Sequence, residues 1–466
     1  MFLVGGVVRD ALLARSTGDV DLAVGGDASA LGRDLAGHLG GQLVSLDEAR
    51  NLVRIVVRGR SDRAASIVDI GSMPEGGITS DLARRDFTID AIATPLCGSD
   101  LAIIDPFGGR SDLDARLIRA VAPSVFQADP ARLVRGPRLA AQLGFDFVEE
   151  TARQIRTDAD LVTMVAPERV RDELLKLMAE PGVAASLRLL DDLGLLCRII
   201  PELADSRGVT QPKEHYWDVF RHQIETAGKI ELIVGRGASS ADAVLEAVPG
   251  FGGEDGHFGE VVSDGHTRLT LLKLAGLLHD VAKPATKTVE PSGRIRFLGH
   301  HKRGAEIAEE AMRRLRFSKR GTELVRLMVE NHLRPGQMAK PQELPTGRAI
   351  FRYFRDLGDA TIDTLYLNLA DYLAARGPLL DHEDWSRHCR VVEHVMSEGL
   401  HGKAPETLPN LIDGHDIMIT FSLSPGPQIG TLLAQVEEAQ AEDEISTREE
   451  ALELVRVNME PGAGRA

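Results

Sequence analysis

The amino-acid sequence predicts a multidomain α+β protein, with a small mixed β-sheet at its N-terminal end and helices over most of the remainder. Three observations predict it. Strand-like apolar runs alternate with helical patterning over roughly the first 120 residues, and amphipathic helical patterning dominates the residues after them. The 466 residues are enough for two to four domains with cores of their own. Two stretches with separate chemistries, one at residues 19–21 and one spread from residue 222 to residue 371, fall in different segments.

Composition narrows the function. At 43% hydrophobic and 27% charged residues, the chain has an ordinary soluble composition, and no apolar run reaches the length of a membrane span. The first strand begins almost at Met1, which leaves no room for a signal peptide. Cys97, Cys197 and Cys389 lie far apart without metal-ligand spacing, as expected of reduced thiols in a cytoplasmic protein. The net charge of −16 counts against bulk attraction to nucleic acid, so RNA contacts must come from locally clustered arginines. Aromatic residues are only 4% of the chain, which argues against a base-stacking platform as the main binding mode.

In chain order, residues 3–22 (LVGGVVRDALLARSTGDVDL) come first. They read as a strand end, a glycine pair (Gly5, Gly6), a short helix carrying Arg9 and Asp10, and a second strand opening on Asp19-Val20-Asp21. Strand residues i and i+2 share a face, so Asp19 and Asp21 stand side by side. Like charges this close repel, and the usual remedy is a divalent cation; hard carboxylate oxygens suit Mg²⁺. The glycines, lacking Cβ, let a triphosphate approach their N–H groups. Next, ASALGRDLAGHLG is helical, GQLVSL and LVRIVVRG are strand-like, and SIVDI is a third apolar strand. Asp69 in that strand is as readily a strand-end carboxylate as a third acid beside Asp19 and Asp21. After a Gly/Pro loop at 71–79 comes Arg84-Arg85-Asp86, suited to hold phosphates by its guanidinium forks and a ribose hydroxyl by its acid. Arg132, Arg135 and Arg138 recur every three residues and so line one side of a helix.

Taken together, Gly5-Gly6-x-x-Arg9-Asp10, the Asp19/Asp21 pair and RRDFTIDA resemble the head of the class II tRNA nucleotidyltransferases and bacterial poly(A) polymerases, the CCA-adding family. The resemblance implies that Asp19 and Asp21 are catalytic and hold Mg²⁺, and that Gly6, Arg9, Arg85 and Asp86 bind the nucleotide. It assigns base selection to Asp129 with Arg132, which act as a protein template, and places Arg135 and Arg138 nearer the phosphates. Two positions depart from the family pattern: Ala128 stands where a Glu is usual, and Asp90 where an Asn is. The loop between Asp69 and Asp81 is short, a feature of CC-adding relatives.

A second chemistry begins near residue 211. His222 lies on a helix, an apolar helix ends in His279-Asp280, and His300, His332 and Asp371 come later. A histidine–aspartate doublet with an upstream His, two further His and a distal Asp is a metal constellation. It resembles the HD phosphohydrolase superfamily, with His222, His279, Asp280 and Asp371 as ligands and His300 and His332 where some members hold a second metal. The ion there would be a transition metal or Mg²⁺, activating water for phosphoester hydrolysis. In the tail, the helix from Gln428 puts Ile429, Leu432, Leu433 and Val436 on one face.

The two resemblances imply four segments: a nucleotidyltransferase head (1–120), a helical neck with the base-selecting helix and an RNA-binding region (121–208), an HD domain (209–375) and a helical tail (376–466). Within the HD domain, residues 233–267 are rich in Gly, Asp, Glu and Ser and read as a flexible insertion. The implied function is addition of C and/or A from CTP and ATP to the tRNA 3′ end by two-metal nucleotidyl transfer. The competing reading makes the HD site the main active centre, a metal-dependent phosphohydrolase behind a nucleotide-binding head. No membrane partner is implied, and the oligomeric state is not legible.

Overall fold

Six strands, β1 (Phe2–Val4), β2 (Asp19–Val24), β3 (Gln42–Asp47), β4 (Leu52–Val57), β5 (Ser66–Ser72) and β6 (Ala93–Pro95), form one sheet in the computed structural model, in the order β3-β4-β5-β2-β1-β6. The β2–β5 pair is parallel and the other neighbours are antiparallel, so the sheet is mixed, as expected. Period-2 alternation builds its two faces. Leu22, Val24, Val53, Ile55 and Ile70 bury one face against Ala28 and Ala36 of the helix Ala28–Leu39. Asp27 caps that helix by accepting the Ser29 and Ala30 N–H groups, and Gly40 ends it in the left-handed region. On the other face, Val4, Ala23, Ala91 and Ala93 pack with Leu82.

The structure describes residues 1–57, 66–96, 102–235, 242–338, 343–403 and 409–459; Cys97 lies outside them. They gather into two compact units, residues 1–181 with 185–201, and residues 182–184 with 202–466. In the first, the sheet is followed by the helices Arg132–Leu143, Glu149–Asp158 and Pro167–Ala179. Helix Arg132–Leu143 buries Leu133, Val134, Leu139, Ala140 and Leu143 and stops at Gly144. In the second, the helices Val219–Val234, Arg268–Leu278, Lys319–Asn331 and Thr361–Arg376 pack on one another. The first three open on capping side chains, Asp218, Thr267 and Ser318. The tail helices bury Ile429, Leu432 and Val436 against Ile417, Ala451 and Val455. Cys197 and Cys389 are thiols, the latter buried.

One expectation is corrected. Apart from residues 236–241, which lie outside the described residues, 233–267 is ordered. It completes the helix Val219–Val234, adds the short helices Ala243–Glu246 and Glu254–Gly259, and ends in the strands Val261–Ser263 and His266–Thr267. Sparse apolar anchors override the polar composition. Leu245, Val248, Phe258 and Val262 are buried, the rings of Phe251 and Phe258 meet Tyr366, and Trp385 donates its indole N–H to the Val244 carbonyl.

The same segment closes over the buried Arg268–Asp363 pair and its neighbours. Arg268, 1% exposed, donates to Asp363 Oδ2 at 2.7 Å, Glu260 Oε2 at 2.6 Å and Asp359 Oδ1 at 2.8 Å, and His257 Nε2 lies 3.0 Å from Asp363 Oδ1. Arg268→Met would leave the fully buried Asp363 with His257 alone. The expected loss is about 3–5 kcal/mol from the stability of the second unit, read as a lower urea midpoint.

Candidate functional sites

In the head, the acids meet because partners in a parallel strand pair project to one face. Asp21 is registered opposite Asp69. Arg54 holds Asp69 with two bonds of 2.8 Å, from Nε and Nη2. Among the described residues Asp21 has no such clamp. Burial pushes its carboxyl up, Arg85 opposes this and Asp69 adds to it, giving a pKa of about 6. Asp19, the other predicted acid, stands exposed at the start of β2. The glycine that matters here is Gly5. At φ 73° it opens the helix Gly6–Leu12, and a Cβ on it would sit 2.5 Å from Arg85 Nη1 and 3.1 Å from Asp21 Oδ2.

A cleft of about 1090 Å³ opens over these groups and is lined by Asp21, Arg85, Asp86, Asp129, Arg132 and Arg135, six of the residues singled out in the sequence. Arg135 Nε binds Asp86 Oδ2 at 2.8 Å. Burial would raise the Asp86 carboxyl, but Arg135 and Arg132 hold it below the usual range. Arg85 pairs with Asp81 at 3.2 Å. Asp129 accepts from Arg169 Nη2 at 2.9 Å, and this bond, against the opposing effect of burial, keeps its carboxyl low. Arg132 donates to the main-chain carbonyls of Arg84 and Val125.

Other predicted residues lie elsewhere. Arg9 is buried between Asp10 (2.8 Å) and Asp90 (2.7 Å), a counter-ion rather than a group on the cleft wall, and Gly6 lies beside it. Arg138 turns away to Glu173 Oε2 at 2.6 Å and Gln142 Oε1 at 2.8 Å. Sequence reasoning did not set Gly5, Arg54 and Asp90 around Asp21, and it did not assign to the cleft Arg169, Glu173 and Lys176 of the helix Pro167–Ala179, which line it. Their spacing of four and three residues puts them on one helical face, a signal that was present in PERVRDELLKLMA.

In the second unit all six predicted ligands converge. His222 Nε2 lies 3.2 Å from His279 Nε2, 3.3 Å from Asp280 Oδ2 and 3.0 Å from Asp371 Oδ1. On the other side of the same carboxylate, Asp280 Oδ1 is 3.3 Å from His300 Nε2 and 3.8 Å from His332 Nε2. Asp280 is thus shared by two ligand groups, His222/His279/Asp280/Asp371 and Asp280/His300/His332.

The imidazoles are oriented from behind. Nδ1 of His279, His300 and His332 lies 2.8, 2.6 and 2.7 Å from the carbonyls of Gly276, Phe297 and Val329. A carbonyl only accepts, so each Nδ1 donates and each Nε2 is turned toward Asp280, the nitrogen that would bind a metal once its proton is lost. Burial alone would lower His279, but Asp280 and Asp371 outweigh it and carry it to about 10. The cluster demands positive charge, and its mix of imidazoles and carboxylates fits divalent ions. A cavity of about 380 Å³, lined also by Lys283, Phe297, Tyr372, Arg376 and His388, opens onto it.

Four family models match the chain. The Poly A polymerase head domain matches residues 1–119, the probable RNA and SrmB-binding site of polymerase A matches 144–206, the HD domain 219–376 and a tRNA nucleotidyltransferase domain 406–455. The A-adding tRNA nucleotidyltransferase of Deinococcus radiodurans is 33% identical over 460 residues, covering 97% of this chain and 94% of that protein. The CC-adding tRNA nucleotidyltransferase of Thermus thermophilus is 33% identical over 457 residues, 97% of this chain and 92% of that protein. In fold, the chain resembles the Thermotoga maritima CCA-adding enzyme complexed with tRNA, at TM-score 0.60 and 20% identity over 98% of this chain and 91% of that one. Both the head and the HD families are metal-dependent.

The raised carboxyl of Asp21 has a measurable consequence. A folded-state pKa of about 6 against 3.8 makes Asp21 favour the fold below about pH 4 and lose that contribution as pH rises through 6. In metal-free protein, Asp21→Asn should therefore unfold at a higher temperature than wild type at pH 8. The two should converge at pH 4, as read by thermal melts across that range.

Proposed function

We propose, for a chain that belongs to the tRNA nucleotidyltransferase family, that it adds C and/or A to the 3′ end of tRNA, using CTP and ATP in a cytoplasmic setting. The single observation that carries this is one cleft lined by Asp21, Arg85, Arg135, Asp129 and Arg132. Asp21, with Asp19 at the strand start, would hold Mg²⁺ through hard oxygens. Two such ions, when bound, lower the pKa of the attacking hydroxyl and neutralise the leaving pyrophosphate. Arg85 and Arg135 orient the triphosphate, and Asp86 fixes the Arg135 guanidinium. Gly5 leaves room for a backbone N–H approach where any side chain would strike Arg85. Asp129, with Arg132 beside it, faces the base. Arg9 and Asp90 brace this wall from beneath.

For the number of nucleotides added, C addition alone is the finer reading. Residues 73–76 are the whole link between β5 and the helix Gly77–Leu82, and a short loop here accompanies CC addition in the family that the chain resembles. tRNAs ending at each successive 3′ position, supplied with one labelled nucleotide at a time, test it. CMP should be incorporated and AMP should not, and Asp19→Ala and Asp21→Ala should each abolish incorporation. Incorporation at the wild-type rate by either variant removes the assignment.

A second activity, phosphoester hydrolysis at the HD cluster, is favoured by the cavity that opens onto His300, Asp280 and Asp371. Since Asp280 serves both ligand groups, Asp280→Ala should strip all bound metal and hydrolysis of a phosphodiester together, and His300→Ala should remove only part of the metal. Elemental analysis beside a hydrolysis assay reads both.

A further inference from the structure

Beneath the arginine wall of the head cleft, the buried charges do not balance. Arg9 is 5% exposed and lies between two carboxylates, Asp10 Oδ1 at 2.8 Å from Nε and Asp90 Oδ1 at 2.7 Å from Nη1. Arg135 has Asp86 Oδ2 at 2.8 Å from Nε, and Asp90 Oδ2 lies 3.8 Å from its Nη2. Two guanidiniums thus meet three carboxylates, and each guanidinium has an acid of its own without Asp90. Asp90 is 2% exposed, and its Oδ2 accepts no hydrogen bond among the described residues. A buried carboxylate with an unsatisfied oxygen is costly. Asp90→Asn would keep the Oδ1 acceptor for Arg9 and remove only the charge.

We infer that Asp90 sets how tightly the head holds phosphate: as a positioning residue behind the cleft wall, it takes up part of the positive charge that Arg135 turns to the triphosphate. The inference rests on the reading of Arg135 as a triphosphate-orienting group. Arg135 lines the cleft and Asp90 is not among the lining residues, so Asp90 acts by charge rather than by touching the nucleotide. A carboxylate less than 4 Å from a guanidinium competes, in a buried setting, with that guanidinium's attraction for a phosphate. The pattern that the chain resembles carries an Asn at this position, so the added charge is this chain's own. Charge is blind to the base. The effect therefore falls alike on every nucleotide and on free pyrophosphate, and it leaves a nucleoside without phosphate untouched.

The test is equilibrium binding of CTP, of inorganic pyrophosphate and of cytidine to the full chain, at saturating Mg²⁺ and without RNA. Asp90→Asn should tighten CTP and pyrophosphate by about threefold or more, the order of one charge removed behind a phosphate-binding group at an effective dielectric constant of about 20. Cytidine binding should not change. In steady-state incorporation the gain should appear as a lower KM with kcat no higher and the preference among nucleotides unchanged. A residue that only braces Arg9 predicts the reverse, looser binding of all three ligands. Asp90→Asn decides where it folds, as judged by its urea midpoint; where it does not, Asp90→Ser, which removes the charge with a smaller side chain, decides in its place. The inference is overturned if the deciding variant binds CTP and pyrophosphate as wild type does or more weakly, or if it tightens cytidine as much. It is overturned too if neither variant folds, which makes Asp90 a structural counter-ion of Arg9. If wild type binds neither CTP nor pyrophosphate, or if Arg135→Gln binds pyrophosphate as tightly as wild type, the reading of Arg135 fails and this inference fails with it.

Discussion

Two carboxylates face each other across a parallel strand pair, and the head is arranged to tolerate them. The register that brings Asp21 level with Asp69 also puts Leu22 level with Ile70 in the core, so the acids cannot be separated without slipping a hydrophobic face out of register. Arg54 quiets Asp69, and Arg85 partly offsets the charge on Asp21. Burial, with the remaining repulsion from Asp69, leaves Asp21 favouring a cation or a proton. Gly5 answers to the same geometry: its positive-φ turn carries the backbone this close to Asp21 and Arg85 without a side chain in the way.

The HD cluster solves a comparable problem with different materials. Its acids are buried among imidazoles whose far nitrogens are pinned to carbonyls three residues earlier in their own chain segments. Each histidine therefore arrives with its ring orientation and its tautomer already set, and Asp280 can turn one oxygen to each ligand group. Chain turns and helix ends do the positioning; the ion would not need to gather its own ligands.

What was legible in the sequence was what depends on short spacing. The i, i+2 acids share strand β2, the arginines three apart share one helix, and the HD doublet and its satellites gather in one cluster. Local periodicity could not tell which way an individual arginine turns once remote partners are in place. Arg138 shares a helical side with Arg132 and Arg135, yet Glu173 on a later helix draws it off. Arg9 belongs to the motif, yet Asp90 buries it. The glycine that governs access to Asp21 is one residue earlier than the expected Gly6, because only backbone dihedrals distinguish the pair. The described part of residues 233–267 misled for the opposite reason: composition averages over a segment, and a few buried side chains such as Phe258 and Leu245 anchor it all the same.

The cleft's cations are held in waiting rather than left bare. Arg85 rests on Asp81, Arg135 on Asp86 and Arg169 on Asp129. An incoming nucleotide would not meet raw positive charge; it would share or compete for each guanidinium with the carboxylate already on it. The carboxylate beside each guanidinium offsets part of its pull on phosphate, so a guanidinium-rich wall need not retain what it holds. For a polymerising site that must let pyrophosphate go and accept the next nucleotide, such reversibility is worth more than tight grip. It also reconciles a phosphate-handling wall with a chain whose overall charge is strongly negative.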